Sequence, residues 1–135
     1  MNIGTNGQVI LTCQANGAIT ARNAVKVVGD AAGLMDVSQA TTDTDEVIGF
    51  ALESAADNAT VRVCVSGPCE AIANEALTAG THGMLTSAAD GELKPYAYGD
   101  RPCAYYLGCK KGSATAAAND VILVLALHAP ADTGV

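Results

Sequence analysis

The sequence is poor in aromatic residues: it has no tryptophan and a single phenylalanine, Phe50. Its hydrophobic core must therefore be built from small side chains, among them 26 alanines, each of which buries little apolar area. Chains with such thin cores commonly gain stability by forming oligomers. The length of 135 residues is nevertheless sufficient for one compact domain.

Basic residues are also few. Seven Lys and Arg residues are scattered along a chain whose formal net charge is −7. Direct binding of DNA or RNA typically requires a basic stripe, so the sequence predicts no nucleic-acid partner. No run of 18 apolar residues occurs, which predicts no membrane span and no membrane partner. The N-terminus lacks the pattern of a signal peptide, which favours synthesis and use in a reducing cytoplasm.

Motifs of catalysis and cofactor binding are missing as well. The glycine clusters at 29–33 and 80–83 lack the lysine of a P-loop and the spacing of a dinucleotide-binding loop. The chain has no Gly-x-Ser-x-Gly nucleophile elbow. A hydrolase built from His82, Ser87 and Asp90 is the weakest functional hypothesis, because His82 lies in a turn-like segment. We therefore predict no catalytic residue, no cofactor and no enzymatic activity.

The potential metal ligands do not form a site pattern. The cysteines include no Cys-x-x-Cys pair and the two histidines, His82 and His128, lie far apart, whereas zinc sites pair their ligands closely. The run at 43–46 has the Asp-x-Asp spacing that opens a calcium loop but lacks the glycine and glutamate that complete one. We expect no metal, a solvated loop at 43–46, and cysteines that act as small apolar fillers. The residues concerned are Cys13, Cys64, Cys69, Cys103 and Cys109, together with Asp43, Asp45 and Glu46.

The apolar residues that do occur alternate with a period of two. In the stretch 60–65, TVRVCV, three valines share one face while Arg62 and Cys64 share the other, which is typical of a half-buried strand. Residues 120–128, DVILVLALH, are apolar on both faces and predict a central strand or one covered by a partner. Frequent turn signals separate such runs, so we predict an all-β fold, a small β-barrel or β-sandwich with little helix. The turn signals are Asn6-Gly7, Asn16-Gly17, Gly29-Asp30, Asp57-Asn58, Gly67-Pro68 and Asp90-Gly91.

Residues 69–79 are compatible with two kinds of secondary structure. Apolar residues spaced by four, with Pro68 before them and Gly80 after them, would suit a helix. A short strand over 70–73 followed by a turn is slightly favoured by the β-rich surroundings.

The two halves of the chain resemble each other. Residues 27–38 are similar to 77–87, the strand at 47–52 to that at 106–111, and the strand that begins at Val61 to the one that begins at Val121. We interpret this order as a degenerate duplication of one β unit. Chance similarity in a Gly- and Ala-rich chain is the alternative.

All four tyrosines lie within eleven residues of the second half, inside an apparent insertion at 94–106. Tyrosine and arginine are frequent anchors of protein interfaces. We therefore predict an oligomer or capsid interface at Tyr96, Tyr98, Arg101 and Tyr105. The alternative is that Tyr96 and Tyr106 fill the core of an aromatic-poor fold.

A succession of turns and strands over residues 47–95 resembles a known family. It consists of Ile48-Gly49, Ala51-Leu52, Ala55-Ala56, the strand from Val61 to Val65, Gly67, Ala79-Gly80, Met84-Leu85 and Ala89-Asp90-Gly91. This succession is similar to the small decoration, or capsid cement, proteins of tailed bacteriophages. The similarity is looser over 24–46 and 104–128.

The resemblance implies a β-barrel or β-sandwich protein that binds the outer surface of an assembled phage head and stabilises it by bridging neighbouring major capsid proteins. It implies a homotrimer on the virion surface, made in the cytoplasm of the bacterial host. In such proteins the N-terminal segment commonly contacts the capsid and adds a strand to it. By position alone, the corresponding residues here are Met1, Asn2, Ile3, Thr5 and Gln8.

The expected organisation is an extended N-terminal segment at 1–8, one β domain at 9–128 that contains the insertion at 94–106, and a C-terminal tail at 129–135. The alternative function is a carbohydrate- or host-surface-binding β module of a phage head fibre or adhesin. The clustered tyrosines favour this alternative because sugars stack on aromatic faces, whereas the lack of tryptophan counts against it.

Overall fold

Strands make up the regular structure of the chain, and no α-helix occurs among the residues that the computed structural model describes, which are 2–3, 7–31 and 33–128. The all-β prediction is therefore confirmed. None of the described residues belongs to a helix of the length and apolarity needed to cross a membrane. The strands are β1 (Asn2–Ile3), β2 (Val9–Ala15), β3 (Ala24–Ala31), β4 (Leu34–Gln39), β5 (Val47–Ala51), β6 (Thr60–Ser66), β7 (Pro68–Ile72), β8 (Leu77–Thr78), β9 (Met84–Ser87), β10 (Leu93–Pro95), β11 (Ala104–Cys109), β12 (Thr115–Ala116) and β13 (Val121–Ala126).

Five strands of the first half close into a barrel. Their order is β2-β4-β3-β5-β6, and β6 pairs with β2 to complete the ring. All pairs are antiparallel except β2–β4, which is parallel where Gln14 meets Asp36 and Ala15 meets Val37. A barrel this small has space inside only for compact side chains, as the composition predicts. The buried interior consists of Cys13, Ala15, Ile19, Val25, Val37, Ala51, Val61 and Val63.

The second half forms a curled sheet in the order β10-β9-β11-β13-β7. A bridge between Ala73, just after β7, and Leu93 of β10 brings its two edges together. β13 is a central strand, as the sequence predicts, with Ile122 and Val124 fully buried on its inner face. Its outer face is not covered, because Leu125 remains 38% exposed.

The larger core lies between the barrel and the curled sheet. β6 serves both cores, because Val61 and Val63 face into the barrel while Cys64 faces the sheet. Phe50, the single phenylalanine, is 1% exposed and packs in this larger core beside Cys64, its register partner. The sheet supplies the opposite side of the core with Cys69, Ala71, Leu77, Leu85, Leu93, Ala104, Tyr106, Ile122 and Val124.

Gly49 permits the close packing of β5 on β6. A Cβ at this position would collide with the backbone carbonyl of Cys64 and lie 2.9 Å from the Val63 side chain. Position 49 therefore requires glycine because there is no space for a side chain, and this position directly precedes Phe50.

The chain passes from the barrel to the curled sheet at Gly67, where φ is +79° and a Cβ would lie 2.5 Å from the carbonyl oxygen of Gly7. A disulfide between Cys64 and Cys69 spans this corner. The prediction that all cysteines are simple apolar fillers is wrong for this pair. The corner places their Cα atoms 6.1 Å apart, within the range of disulfides. Cys13, Cys103 and Cys109 are free and buried, as fillers should be.

The acidic loop at 41–46 is largely exposed, as expected of a solvated loop, but it also contacts the curled sheet. The Thr86 hydroxyl donates to the carbonyl oxygen of Asp43 (3.0 Å), and the Ser87 hydroxyl donates to that of Thr42 (2.5 Å). The Asp43 carboxylate pairs with Lys94 at 3.0 Å. Because Thr86 and Ser87 are buried, these bonds satisfy polar groups that would otherwise be costly. The loop thereby attaches the barrel to the curled sheet.

The duplication inferred from the sequence is only partly reflected in the fold. β5–β6 and β11–β13 are equivalent antiparallel pairs. However, β3 lies between β4 and β5, whereas β9 pairs directly with β11. The two halves therefore do not repeat one complete unit.

Local predictions mostly agree with the structure. Residues 69–79 form β7 and β8, so the strand alternative is correct. Positive φ values at Gly7, Gly17, Asn58, Gly67 and Gly91 agree with five of the six turn signals. Gly29-Asp30 is not a turn: it lies within β3, where the register with β4 shifts between Val27 and Gly29.

We expect Gly49→Ala to lower the free energy of unfolding by about 1–3 kcal/mol, the usual cost of overpacking, because the new methyl group must displace β6. Urea denaturation measures this change. Gly29→Ala is the matched control, since a Cβ there meets only Asp36 Oδ2, at 4.0 Å. Equal destabilisation by both substitutions would contradict the argument from space.

We expect the double variant Cys64→Ala, Cys69→Ala to lose about 2 kcal/mol of stability, as estimated from the entropy of closing a short loop. A reducing agent should destabilise the wild-type protein by a similar amount and leave the double variant unchanged. Thermal unfolding with and without the reductant tests both statements. Insensitivity of the wild type to reduction would exclude a stabilising role for the disulfide.

Glu70 of β7 links the two parts of the fold by accepting from Lys110 Nζ (2.6 Å) and from Arg22 Nε (2.9 Å). The hydrogen bond from Lys110, and then that from Arg22, hold the pKa of Glu70 below its ordinary value against the opposing effect of burial. The stability that follows is present above the unfolded-state pKa and is lost as pH falls through the folded-state pKa.

Glu70→Gln should therefore destabilise the protein at pH 7, by less than about 1 kcal/mol for each of these partly exposed pairs. The difference from wild type should shrink by pH 3 in urea titrations. Glu46→Gln removes an exposed carboxylate that forms no ion pair within the described part of the chain, and it therefore controls for the loss of a carboxylate alone. A difference for Glu70→Gln that stayed constant between pH 7 and pH 3 would rule out its charge as the cause.

Candidate interaction surface

The four clustered tyrosines have different environments. Tyr106 is buried, and its hydroxyl donates to the carbonyl oxygen of Ala114 (3.1 Å), so the core-filling alternative is correct for this residue. Tyr96 is half-buried. Tyr98 and Tyr105 are 73% and 47% exposed. The insertion at 94–106 thus contributes tyrosine side chains both to the core and to the surface.

An apolar row crosses the outer face of the curled sheet. Met84 pairs with Tyr105, Tyr105 with Leu125, and Leu125 with Pro68. Beyond Met84, the backbone N–H of Tyr96 donates to the Met84 carbonyl oxygen at 3.0 Å. Directly paired residues present their side chains on the same face. We call these five residues the outer row.

The outer row contains exposed side chains at a place where a sheet normally presents polar ones. Met84 and Tyr105 are 40% and 47% exposed, and Leu107, two residues beyond Tyr105, is 45% exposed. The Tyr105 ring is supported from below, since a Cβ on Gly83 would lie 3.1 Å from its Cε2 atom. Because Gly83 has no side chain, the Tyr105 ring can pack closely against it.

Arg101 lies in a cleft of about 360 Å³. Its Nε donates to the carbonyl oxygen of Thr44 (3.2 Å). Each of the other six Lys and Arg residues forms an ion pair within the described part of the chain, whereas Arg101 forms none there. Leu127, two residues beyond Leu125, also lines the cleft, so the cleft adjoins the outer row. Its remaining lining residues are Glu46, Val47, Ile48, Pro102 and His128.

The predicted N-terminal contact residues lie near the Gly67 corner as far as they are described. Asn2 and Ile3 form β1, which pairs with Ile10 and Val9 of β2, so residues 2–3 have a strand partner in their own chain. Gln8 donates through Nε2 to the carbonyl oxygen of Pro68 at 2.8 Å, which places it beside one end of the outer row. Met1, Thr5 and the predicted tail at 129–135 lie outside the described residues.

The residues considered for catalysis make local structural contacts. His82 Nδ1 accepts from the backbone N–H of Thr78 (3.0 Å), and the Ser87 hydroxyl donates to Thr42. Asp90 Oδ1 accepts from the backbone N–H of Glu92 at 3.4 Å. Among the described residues, no group of three or more His, Cys, Asp or Glu side chains is arranged to hold a metal ion.

The free thiols are shielded. Burial raises the pKa of the Cys103 thiol to about 12, and burial also raises that of Cys13. Because the thiolate is the reactive form, these cysteines are poor nucleophiles at neutral pH.

One exposed apolar group was missed by the sequence analysis. Val27, Val28 and Met35, on the β3–β4 hairpin, are 44%, 45% and 38% exposed. The available signal was the doublet Val27-Val28, since an alternating strand cannot bury two consecutive valines on one face.

Comparison with known proteins identifies the fold. No protein-family model matches the chain, and no curated protein sequence matches it. Among solved structures, the chain is similar to the N base of the head fiber protein gp8.5 of bacteriophage phi29, with a TM-score of 0.67 and 14% sequence identity. The similarity covers 93% of this chain and 98% of that one. The chain therefore has the fold of a phage head-fiber base.

Proposed function

We propose that the protein is a structural component of the exterior of a tailed-phage head. In this role it is a decoration, or cement, protein that binds the outer surface of the assembled head and bridges neighbouring major capsid proteins. The similarity of nearly the whole chain to the phi29 head-fiber base is the observation that carries the first part of this proposal, a structural role on a phage head. The finer assignment as a decoration protein rests on the turn-and-strand pattern at 47–95, which resembles that family.

The surface chemistry supports a binding role rather than a catalytic one. The outer row and the adjoining Arg101 cleft offer an apolar surface with one cation that has no ion-pair partner among the described residues. Contacts of this kind are individually weak, but a symmetric shell presents them many times. A net charge of −7 keeps an abundant protein soluble in the host cytoplasm before it docks on the virion.

The N-terminal segment is the proposed capsid contact. β1 is the terminal strand of its sheet and pairs there only with β2 among the described strands. An added strand would pair with its other edge, which has no partner among the described strands; strand addition is a common mode of recognition for extended segments. Strand addition at Asn2–Ile3 would place the capsid protein near Gln8 and the Gly67 corner.

A second candidate is a base that carries a head fibre, or a module that binds host-surface carbohydrate. The structural neighbour is itself a head-fiber base, which favours this candidate. The exposed rings of Tyr98 and Tyr105 are suitable platforms for sugar stacking. A glycan array, with Tyr98→Ala and Tyr105→Ala as controls, separates this function from head binding.

We expect the purified protein to co-sediment with expanded empty heads of the phage that encodes it, prepared without the protein, and to raise their disruption temperature. Removal of residues 1–8 should abolish binding while the variant still folds, as monitored by circular dichroism. Thr12→Glu, at an exposed position of β2, is a matched control and should bind normally. Absence of binding by the folded wild-type protein would refute the proposed function.

A further inference from the structure

The corner at Gly67 contacts residues near the N-terminus as well as joining the two sheets. A Cβ on Gly67 would lie 2.5 Å from the carbonyl oxygen of Gly7 and 3.1 Å from the Cα atom of Gln8. The Gln8 side chain also donates through Nε2 to the carbonyl oxygen of Pro68 at 2.8 Å. Residues 7–8 therefore pack directly on the corner.

The same corner is connected to β1 through two adjacent strand pairings. Cys64 of β6 pairs with Ile10 of β2, and Ile10 pairs in turn with Asn2 of β1. β1 has two residues and no strand partner other than β2 among the described strands. Elements held by few contacts open more readily than the rest of a fold. The order of β1 therefore depends on how firmly the end of β6 is held.

The disulfide is the covalent link across this corner. Cys64 lies on β6 of the barrel and Cys69 on β7 of the curled sheet, so the bond joins the two sheets. Disulfides are rare in a reducing cytoplasm, which is the compartment in which the sequence analysis predicts that the protein is made. In that compartment the corner contains two thiols and lacks its covalent link.

We propose that the Cys64–Cys69 pair is a redox-sensitive switch that controls the order of the N-terminal region. In the dithiol form the end of β6 can move away from β7, and β1 and residues 7–10, which pair with or pack on it, open more often. In the disulfide form the corner is fixed and these residues are held in register. The use of the switch in head binding rests on the proposed function, in which this region contacts the capsid and oxidation fixes it after the host cell lyses.

The oxidant is a low-molecular-weight disulfide, and the reaction is thiol–disulfide exchange. One cysteine thiolate attacks the reagent, which forms a mixed disulfide and releases one thiol. The thiolate of the other cysteine then attacks the mixed disulfide, closes the Cys64–Cys69 bond and releases the second thiol. The protein loses two electrons and two protons, and the reagent retains them as two thiols. Because both cysteines are buried, the exchange requires the corner to open.

The free cysteines do not compete in this reaction. Burial raises the pKa of the Cys103 thiol to about 12 and also raises the pKa of Cys13. Because the thiolate is the attacking species, the reaction is confined to the pair at the corner.

Hydrogen exchange of individual backbone amides, followed by NMR with and without a reducing agent, tests the switch. We expect reduction to accelerate exchange at residues 2–3 and 7–10 by up to roughly 30-fold, the factor that crosslinking a short loop contributes to an opening equilibrium. The amides of β13, in the curled sheet, should change much less. The double variant Cys64→Ala, Cys69→Ala should exchange rapidly at the same N-terminal amides and should not respond to the reductant.

If the double variant does not fold, Gln8→Ala replaces it. This substitution leaves the disulfide closed but removes the hydrogen bond to Pro68, so it should accelerate exchange at residues 2–3 without reduction. Unchanged exchange at residues 2–3 and 7–10 on reduction of the wild type would overturn the inference. Equal acceleration in β13 would also overturn it, because the disulfide would then only stabilise the fold as a whole. The measurement contains no phage heads, so a localised response in a protein that fails to bind heads would uphold the inference and refute the proposed function alone.

Discussion

The packing of the barrel against the curled sheet is the interaction on which the rest of the structure depends. The barrel interior is filled with small side chains, so the larger apolar residues are buried mainly between the two parts. Phe50 packs there because Gly49 lets β5 approach β6 closely. A fully buried phenylalanine stabilises a fold by about 1.5–3 kcal/mol. Because Phe50 is the single phenylalanine of the chain, no second phenylalanine makes an equivalent contribution elsewhere in the core.

Polar and covalent links reinforce this packing at its margins. The disulfide spans the corner at Gly67, the Thr86 and Ser87 hydroxyls hold the loop at 41–46, and Glu70 receives a cation from each part. Each link joins the barrel to the curled sheet rather than strengthening either one alone. These links hold the barrel and the curled sheet together although their strands belong to separate sheets.

The sequence predicts the strands well because their determinants are local. The alternation in TVRVCV, the apolar run at 120–128 and the turn residues Gly17, Asn58 and Gly91 depend only on neighbours along the chain. The parallel β2–β4 pair depends on segments that meet only after folding. The disulfide joins residues only five apart in the sequence, but it requires the corner at Gly67 to bring the two Cα atoms to 6.1 Å. The residues of the candidate interaction surface were predicted only in part, for the same reason. Tyr105 lies on the outer row, but the row as a whole exists only through the registers of four strands, β9, β11, β13 and β7.

The two exposed apolar groups lie where the described part of the fold offers no further strand or layer to cover them. The outer row lies on the outer face of the curled sheet, whose inner face packs against the barrel. Val27, Val28 and Met35 lie on the β3–β4 hairpin, beyond the residues that pair with β5 and β2. Because concentrated exposed apolar residues mark contact surfaces, these two groups are the parts of the described surface best suited to the binding role that we propose.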